Sequence, residues 1–333
     1  LEEVDQRFFY PWVLGEFPNN MMIVYFVVFS LIMLHMGYQK YRKAFHYGCL
    51  LICILVVISV KPYLNPQGSV TMLDVGQGDS FIIELPFRKG VVMIDAAGSM
   101  ASDFESVSDK NYKQIIKPYL YSKGITTIDL LFLSHEDVDH IGSVPFIIEE
   151  FNVEKMIVSD QFNLAKFSET LIPIQTVKSG EKIQLHQQLF YVLHPEHSFT
   201  TTNDNSLVLF TQLGGLNWLF TGDIGSNVEL TLTKRLPNLQ VDVLKVSHHG
   251  SKTSTSAPFI ESINPHIALI SVGVNNRYGH PNQKVLETLT QKNVQVMRTD
   301  QLGAVQYKFL GDSGTFSSYL PYDIVKTGSN ASK

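Results

Sequence analysis

Leu131-Phe132-Leu133-Ser134-His135-Glu136-Asp137-Val138-Asp139-His140 is the stretch that decides how this chain folds. The apolar run Leu130 to Leu133 reads as a buried strand. It gives way at once to His135, Asp137, Asp139 and His140, four metal-ligating side chains within six residues. A strand delivers such groups to the rim of a sheet on a rigid base, which is what a metal site requires. The pattern recurs along the chain. Val91 to Ile94 runs into Asp95, Trp218 to Phe220 into Thr221-Gly222-Asp223, and Val241 to Val246 into Ser247-His248-His249-Gly250. Nine of the eleven histidines follow residue 130, and His135, His140, His194, His248 and His249 stand at strand ends. Strand ends that converge on one rim assemble a single site from distant parts of a sequence.

Outward from this core, 333 residues suffice for one large domain or two average ones. A hydrophobic content of 44% supports a sizeable interior. The balance of 26 basic against 31 acidic residues excludes a global basic field, so any nucleic-acid contact has to be local. Cys49 and Cys53 lie together in one apolar run, where they neither staple a loop nor form a metal motif. No cleavable signal peptide is visible. The start at Leu1 rather than Met leads us to expect a piece of a longer protein.

Phe17 to Gln39 contains no Lys, Arg, Asp or Glu, and Ala44 to Val60 is a second uncharged run. The first suits a membrane helix, which needs roughly 20 residues. Neither run shows the polar face of a soluble amphipathic hairpin. We expect transmembrane helices over 20–38 and 44–60, within a membrane region and linker spanning 1–67. Lys40, Arg42 and Lys43 in the turn belong in the cytoplasm by the positive-inside rule. The chain after Lys61 then lies on the extracytoplasmic side of the cell membrane.

Beyond the linker, strands and helices alternate. Strands are expected over 70–75 and 81–85, joined by the turn-rich Gly76-Gln77-Gly78-Asp79. Further strands are expected over 91–94, 155–159, 189–193, 206–212, 218–220, 241–246, 267–271, 294–297 and 304–309. Helices are expected over 103–121, 144–151, 228–235 and 282–292. In the first of these, Lys110, Lys113 and Lys117 form either a solvated face or a phosphate-tracking stripe. Such alternation predicts a layered α/β domain over 68–311. A polar tail covers 312–333.

Ile94-Asp95, the His135 to His140 cluster, Thr221-Gly222-Asp223 and Ser247-His248-His249-Gly250 resemble the successive motifs of the metallo-β-lactamase fold. Leu73-Asp74-Val75-Gly76-Gln77-Gly78-Asp79-Ser80, Asn203-Asp204-Asn205-Ser206-Leu207-Val208 and Asn276-Arg277-Tyr278-Gly279-His280-Pro281 resemble one branch, the C-terminal domain of the ComEC family of DNA-uptake channels in natural competence. The hydrophobic hairpin is similar to the end of that family's membrane region, with the channel proper expected before Leu1. The fold implied is an αββα sandwich preceded by a transmembrane hairpin.

The resemblance implies a two-metal centre, with His135 and Asp137 on one ion, Asp139, His140 and His248 on the other, and Asp223 between them. Asp137 stands where the wider family has a second histidine. A carboxylate there is a harder ligand, which favours Mn²⁺, with Mg²⁺ and Zn²⁺ as alternatives. Paired metals activate a shared water and clamp a phosphate. His249 or His280 is the candidate proton donor, and Asp139 the alternative proton acceptor. Asp95 either orients a ligand or coordinates directly. His194 and Asn205 are rival candidates to line the site. Lys252 is a candidate phosphate contact and Tyr278 a candidate stacking platform for a base. The implied function is a metal-dependent nuclease that degrades the non-transported strand of incoming DNA. Its partners are DNA, the membrane and other components of the uptake machinery. The alternatives are a hydrolase of small phosphodiesters or esters and a non-catalytic DNA-guiding domain.

Overall fold

Runs rich in Val, Ile and Phe form strands where the sequence places them, and their registers build two sheets. The computed structural model describes residues 13–100, 107–274 and 276–320. In chain order, the strands of the first half are β1 (Gly68–Met72), β2 (Phe81–Glu84), β3 (Val91–Ile94), β4 (Leu130–Phe132), β5 (Met156–Ser159), β6 (Ile174–Val177) and β7 (Lys182–Leu185). Then come β8 (Gln188–His194), β9 (Val208–Leu213), β10 (Leu216–Phe220), β11 (Val243–Lys245), β12 (Ile267–Ile270), β13 (Gln295–Arg298), β14 (Val305–Leu310) and β15 (Ser313–Ser318). One sheet has the order β6-β5-β4-β3-β2-β1-β14-β15 and the other β7-β8-β9-β10-β11-β12-β13. Between them Phe81 meets Phe220 and Phe132 meets Phe190, each pair with ring centres 5.2 Å apart.

Helices cover the outer faces. On the first sheet, α3 (Lys117–Ser122) and α5 (Val144–Glu150) bury Leu120, Val144 and Ile147; the short α4 (Val138–Ile141) precedes α5. On the second, α6 (Ser226–Arg235), α7 (Ala257–Ile263) and α8 (Gln283–Gln291) bury Val228, Phe259 and Leu289. The result is the four-layered αββα sandwich expected from the motifs.

Strand direction places the site. β3, β4 and β5 run parallel, as do β10, β11 and β12. Their carboxyl ends open on one rim, where open α/β sheets bind ligands. Backbone bonds stitch that rim: Asp95 N–H donates to Phe132 O at 2.9 Å and Val246 N–H to Leu269 O at 2.9 Å. β1 runs in the direction of β3. Met72 is level with Phe81 and Ile94 at the site end, and Ser69 is level with Glu84 and Val91 at the other. The N-terminal segment therefore enters the sheet at the end away from the site.

That segment is a helical hairpin of α1 (Asn19–Gly37) and α2 (Tyr41–Leu64). By length and composition α2 is able to cross a membrane. Ile23, Phe26, Phe45 and Val57 are 58–71% exposed, and leaving such side chains in water forgoes about 1.5–3 kcal/mol each. The hairpin is a membrane-associated element. α2 runs past its expected end and takes Lys61 and Pro62 into its last turn; a lysine near a helix end reaches the interface with its charge.

Other expectations change. The hairpin connection after β1 is longer than expected, a loop from Leu73 to Ser80, because β1 ends at Met72. The helix expected over 103–121 begins with residues outside those described (103–106), and a two-residue ribbon strand, Val107–Ser108, follows. A π-helical turn at Tyr112–Ile116 then leads into α3. Two of its lysines are partnered, Lys113 with Asp109 at 2.5 Å and Lys117 with Glu150 at 2.6 Å, and Lys110 is exposed. The sheet continues beyond residue 311, because β15 pairs with β14 along its length. Residues 1–12 and 321–333, expected as connector and tail, lie outside the described residues.

Candidate metal centre

One ligand atom each from Asp139, His140, Asp223 and His249 lies within 4.8 Å of the others. α4 carries Asp139 and His140, β10 leads into Asp223, and the turn after β11 carries His249. His249 Nε2 is 3.4 Å from Asp139 Oδ2 and 3.5 Å from Asp223 Oδ2, and His140 Nε2 is 3.3 Å from Asp223 Oδ1. Beside this cluster His135 stacks 4.2 Å from the His140 ring, with its Nε2 3.7 Å from Asp137 Oδ2. Asp137 is half-exposed and accepts a bond from Thr202 Oγ1 at 3.2 Å.

The far side of each ring is fixed. His140 Nδ1 donates to Asp95 Oδ2 at 2.8 Å, and Asp95 also accepts from Ser134 N–H and Ser134 Oγ, both at 2.7 Å. His249 Nδ1 donates to Ser271 O at 2.9 Å. His135 Nδ1 faces Ser206 Oγ at 3.3 Å. Such outer bonds set ring orientation and tautomer in metal sites. They leave the Nε2 atoms of His135, His140 and His249 turned inward, all three buried without a hydrogen-bond partner. A buried polar atom left unpaired costs about 1–3 kcal/mol. Three unpaired imidazole nitrogens facing carboxylates form a donor set that fits a divalent cation.

Backbone strain concentrates here. Asp95, His248 and His249 adopt left-handed φ values of 58°, 51° and 52°. Non-glycine residues held there cost about 1–3 kcal/mol each and cluster at functional sites. The buried carboxylate of Glu229 pins the following segment by accepting the Thr255 and Ser256 N–H groups at 2.5 and 2.8 Å.

The electrostatics are those of an anionic socket. Burial would raise Asp223, but the charges of His140, His249 and Lys245 outweigh it and hold its carboxyl well below the usual range. Burial also opposes ionisation of Asp139, and the adjacent His249 imidazole and the His140 charge again prevail. His135, 3.7 Å away, lowers Asp137. For His140 and His249 burial acts downward, yet Asp223 with Asp95, and Asp223 with Asp79, push both upward. His280 is the opposite case: burial, then His248 and His249, lower it to about 4.

Two adjacent histidines exchange places relative to the sequence expectation. His249, not His248, joins the cluster. His248 is 30% exposed, its Nε2 is 3.9 Å from Asp223 Oδ2, and its ring lies edge-on to His280 at 5.7 Å. The left-handed turn is the reason, because it rotates the second ring inward and leaves the first at the mouth. His194 and Asn205 stay out of the site. His194 Nε2 donates to Asp204 O at 2.7 Å, and Asn205 bonds Phe199 and Thr201, so both fold the loop before β9. That loop instead sends Thr202 to Asp137 and Asn203 Nδ2 to within 3.5 Å of His248 Nε2. Lys252 is exposed. Tyr278 is 54% exposed, stacks on His280 at 5.8 Å and carries the Arg277 guanidinium 5.1 Å above its ring.

Sequence reasoning missed Asp79 and Lys245. Both are 2% exposed and paired with each other, and Lys245 also donates to Asp223 Oδ1 at 3.2 Å. The signal was present, since Lys245 is the one cation within the apolar run Val243 to Val246.

Fold and site together define a class: the chain belongs to the metallo-β-lactamase superfamily, whose family pattern matches residues 73–274. Among individual proteins it is similar to ComE operon protein 3 of Bacillus subtilis, with 36% identity over 92% of this chain and 41% of that protein. It is also similar to competence protein ComA of Neisseria gonorrhoeae, with 29% identity over 79% of this chain and 36% of that protein. The chain thus spans well under half the length of these relatives, and the ComEC resemblance read from the motifs holds. Igni18, a metallo hydrolase from Ignicoccus hospitalis, superposes with a TM-score of 0.48 at 12% identity, covering 72% of this chain and 99% of that one.

Proposed function

We propose that the domain is a metal-dependent phosphodiesterase that hydrolyses one strand of incoming DNA beside an uptake channel. The observation that carries this is the convergence of the unpaired imidazole nitrogens of His140 and His249 on the carboxylates of Asp139 and Asp223, with that of His135 facing Asp137 beside them. His135 and Asp137 would hold one cation, Asp139, His140 and His249 would hold the other, and Asp223 would serve both. The carboxylate at Asp137 favours Mn²⁺ over Zn²⁺. Bound divalent cations supply an activated water and positive charge against a phosphate ester. Asp95 keeps His140 in register through Nδ1. Asp139, held ionised, is suited to hold a cation. His280, held neutral with His248 at the mouth, is suited to hydrogen-bond a phosphate oxygen rather than to deliver a proton. Tyr278, more than half exposed with Arg277 above its ring, is suited to pack against a base.

The organisation that goes with this reading is a membrane region over 1–67 followed by the catalytic domain, which lies on the extracytoplasmic side. The similarity to competence proteins supports a setting in DNA uptake, with other components of that machinery as partners.

The test uses the full chain in detergent, stripped of metal and reloaded with Mn²⁺, Mg²⁺ or Zn²⁺, with end-labelled single- and double-stranded DNA. Degradation by the parent and not by an Asp139→Ala, His140→Ala variant is the expected result, with Mn²⁺ most effective. DNA binding that weakens with salt, but without cleavage under any metal, would instead mark a guiding domain. Cleavage of small phosphodiesters alone would mark a small-substrate enzyme.

A further inference from the structure

A buried lysine stands directly behind the cluster, and the metal reading leaves it without a task. Lys245 ends β11 and lies between carboxylates from both sheets. Its Nζ donates to Gly222 O at 2.8 Å and Asp223 Oδ1 at 3.2 Å, and pairs with Asp79 Oδ2. Lysine is almost never fully buried unless paired, and a buried ion pair is weak evidence of a purely stabilising role. Val243, two residues back on the same face of the strand, is a buried apolar side chain, so an aliphatic residue would suit that face.

Asp79 reaches the site twice. Its carboxylate meets Lys245, while its backbone N–H donates to Asp139 O at 3.0 Å. The approach is close, because a Cβ on the preceding Gly78 would sit 2.3 Å from that same Asp139 oxygen. One connection therefore runs from the turn bearing Asp139, through Asp79 and Lys245, to Asp223. At Asp223 the two oxygens are not equivalent. Oδ1 accepts from the ammonium and lies 3.3 Å from His140 Nε2, and Oδ2 faces His249 Nε2 at 3.5 Å. A carboxylate free to turn is able to chelate a single cation with both oxygens; one held at Oδ1 is kept from turning.

Resting on the metal-centre reading, we propose that Asp79 and Lys245 are a positioning pair that fixes how Asp223 meets metal. They hold Oδ1 on the His140 side, leave Oδ2 on the His249 side, and so make the chain load its cations as a pair. Without them Asp223 turns, chelates one cation and empties the other place.

The experiment titrates Mn²⁺ into the full metal-stripped chain in detergent, followed by calorimetry and electron paramagnetic resonance, for the parent, Asp79→Asn, Lys245→Met and His140→Ala. The parent should take up two Mn²⁺ with an exchange-coupled spectrum. Asp79→Asn and Lys245→Met, if cooperatively folded by thermal unfolding, should hold one Mn²⁺ with the six-line spectrum of an isolated ion. Their second Mn²⁺ should bind at least tenfold more weakly. Asp79→Asn keeps shape and volume, so it decides alone should Lys245→Met not fold. Two Mn²⁺ with the parent's coupled spectrum in Asp79→Asn overturn the proposal. So does an extra Mn²⁺ in Lys245→Met, which would make the ammonium a stand-in for a cation. A parent that binds only one Mn²⁺ overturns the positioning pair alone. A parent that binds none, like His140→Ala, overturns the metal-centre reading with it.

Discussion

At the scale of single residues, the two neighbouring histidines after β11 have different tasks. His249→Ala should weaken Mn²⁺ binding by more than the roughly 10–100-fold typical when an outer partner of a ligand is removed. His248→Ala should leave Mn²⁺ affinity near that of the parent and lower DNA turnover, as calorimetry and cleavage rates would show. Equal losses of affinity would refute the assignment. Acidity offers a second check. His140 and His249 both have raised pKa values in the metal-free fold. A raised histidine stabilises the fold below its ordinary value of 6.5, and that contribution fades as pH climbs through the folded value. Asp139 and Asp223, lowered from 3.8, contribute a constant amount throughout the neutral range. The metal-free chain should therefore lose thermal stability on going from about pH 6.5 to pH 9. The Mn²⁺-loaded chain should not, because cations replace those protons. Parallel Tm profiles would refute this. The ligand types were legible in the sequence, since His and Asp after apolar runs carry their chemistry openly. Which of His248 and His249 turns inward was not, because that choice lies in two left-handed backbone residues. Nor was the bond from Asp79 to Lys245, because the first sheet and the second meet only in the fold.

Among elements, the legible strands were those with burial to betray them. β2, β3, β4 and β5 are almost continuous apolar runs, and each appears within a residue or so of its expected place. β6, β7 and β15 were missed for one reason. Ile174-Gln175-Thr176-Val177 and Lys182-Ile183-Gln184-Leu185 are sheet edges with polar residues interspersed, and in β15 only Phe316 is apolar. Pairing with a neighbour, not burial of a face, makes them strands. α7 was missed although α5, equally short and with the same first-turn proline, was expected. The loop Leu73 to Ser80 joins antiparallel neighbours as expected, but begins earlier because β1 ends at Met72. It is a wedge, with Gly78 at φ 123° against the backbone of Asp139. Gly78→Ala should therefore cost about 1–3 kcal/mol by overpacking and weaken Mn²⁺ binding as the turn bearing Asp139 shifts. Thermal unfolding and calorimetry would register both, and an unchanged midpoint would show that the loop yields freely.

For the whole molecule, the hairpin and the sandwich form a short-coupled unit. α2 ends at Leu64 and β1 begins at Gly68. Phe87 N–H donates to Asn65 O at 2.7 Å across the join. The proposed topology predicts that a reporter inserted after Gly68 is active only outside the cytoplasm; cytoplasmic activity would refute it. The direction of β1 has a further consequence. The sheet meets its membrane anchor at one end and holds the cluster past the other, so the five residues of β1 alone set a stand-off of about 16 Å. Along a nucleic acid strand that is about five nucleotides. A strand pinned at the bilayer and cut here would keep a protected stub at least that long. The shortest end-labelled remnant left by membrane-bound protein would measure the stand-off as a ruler does.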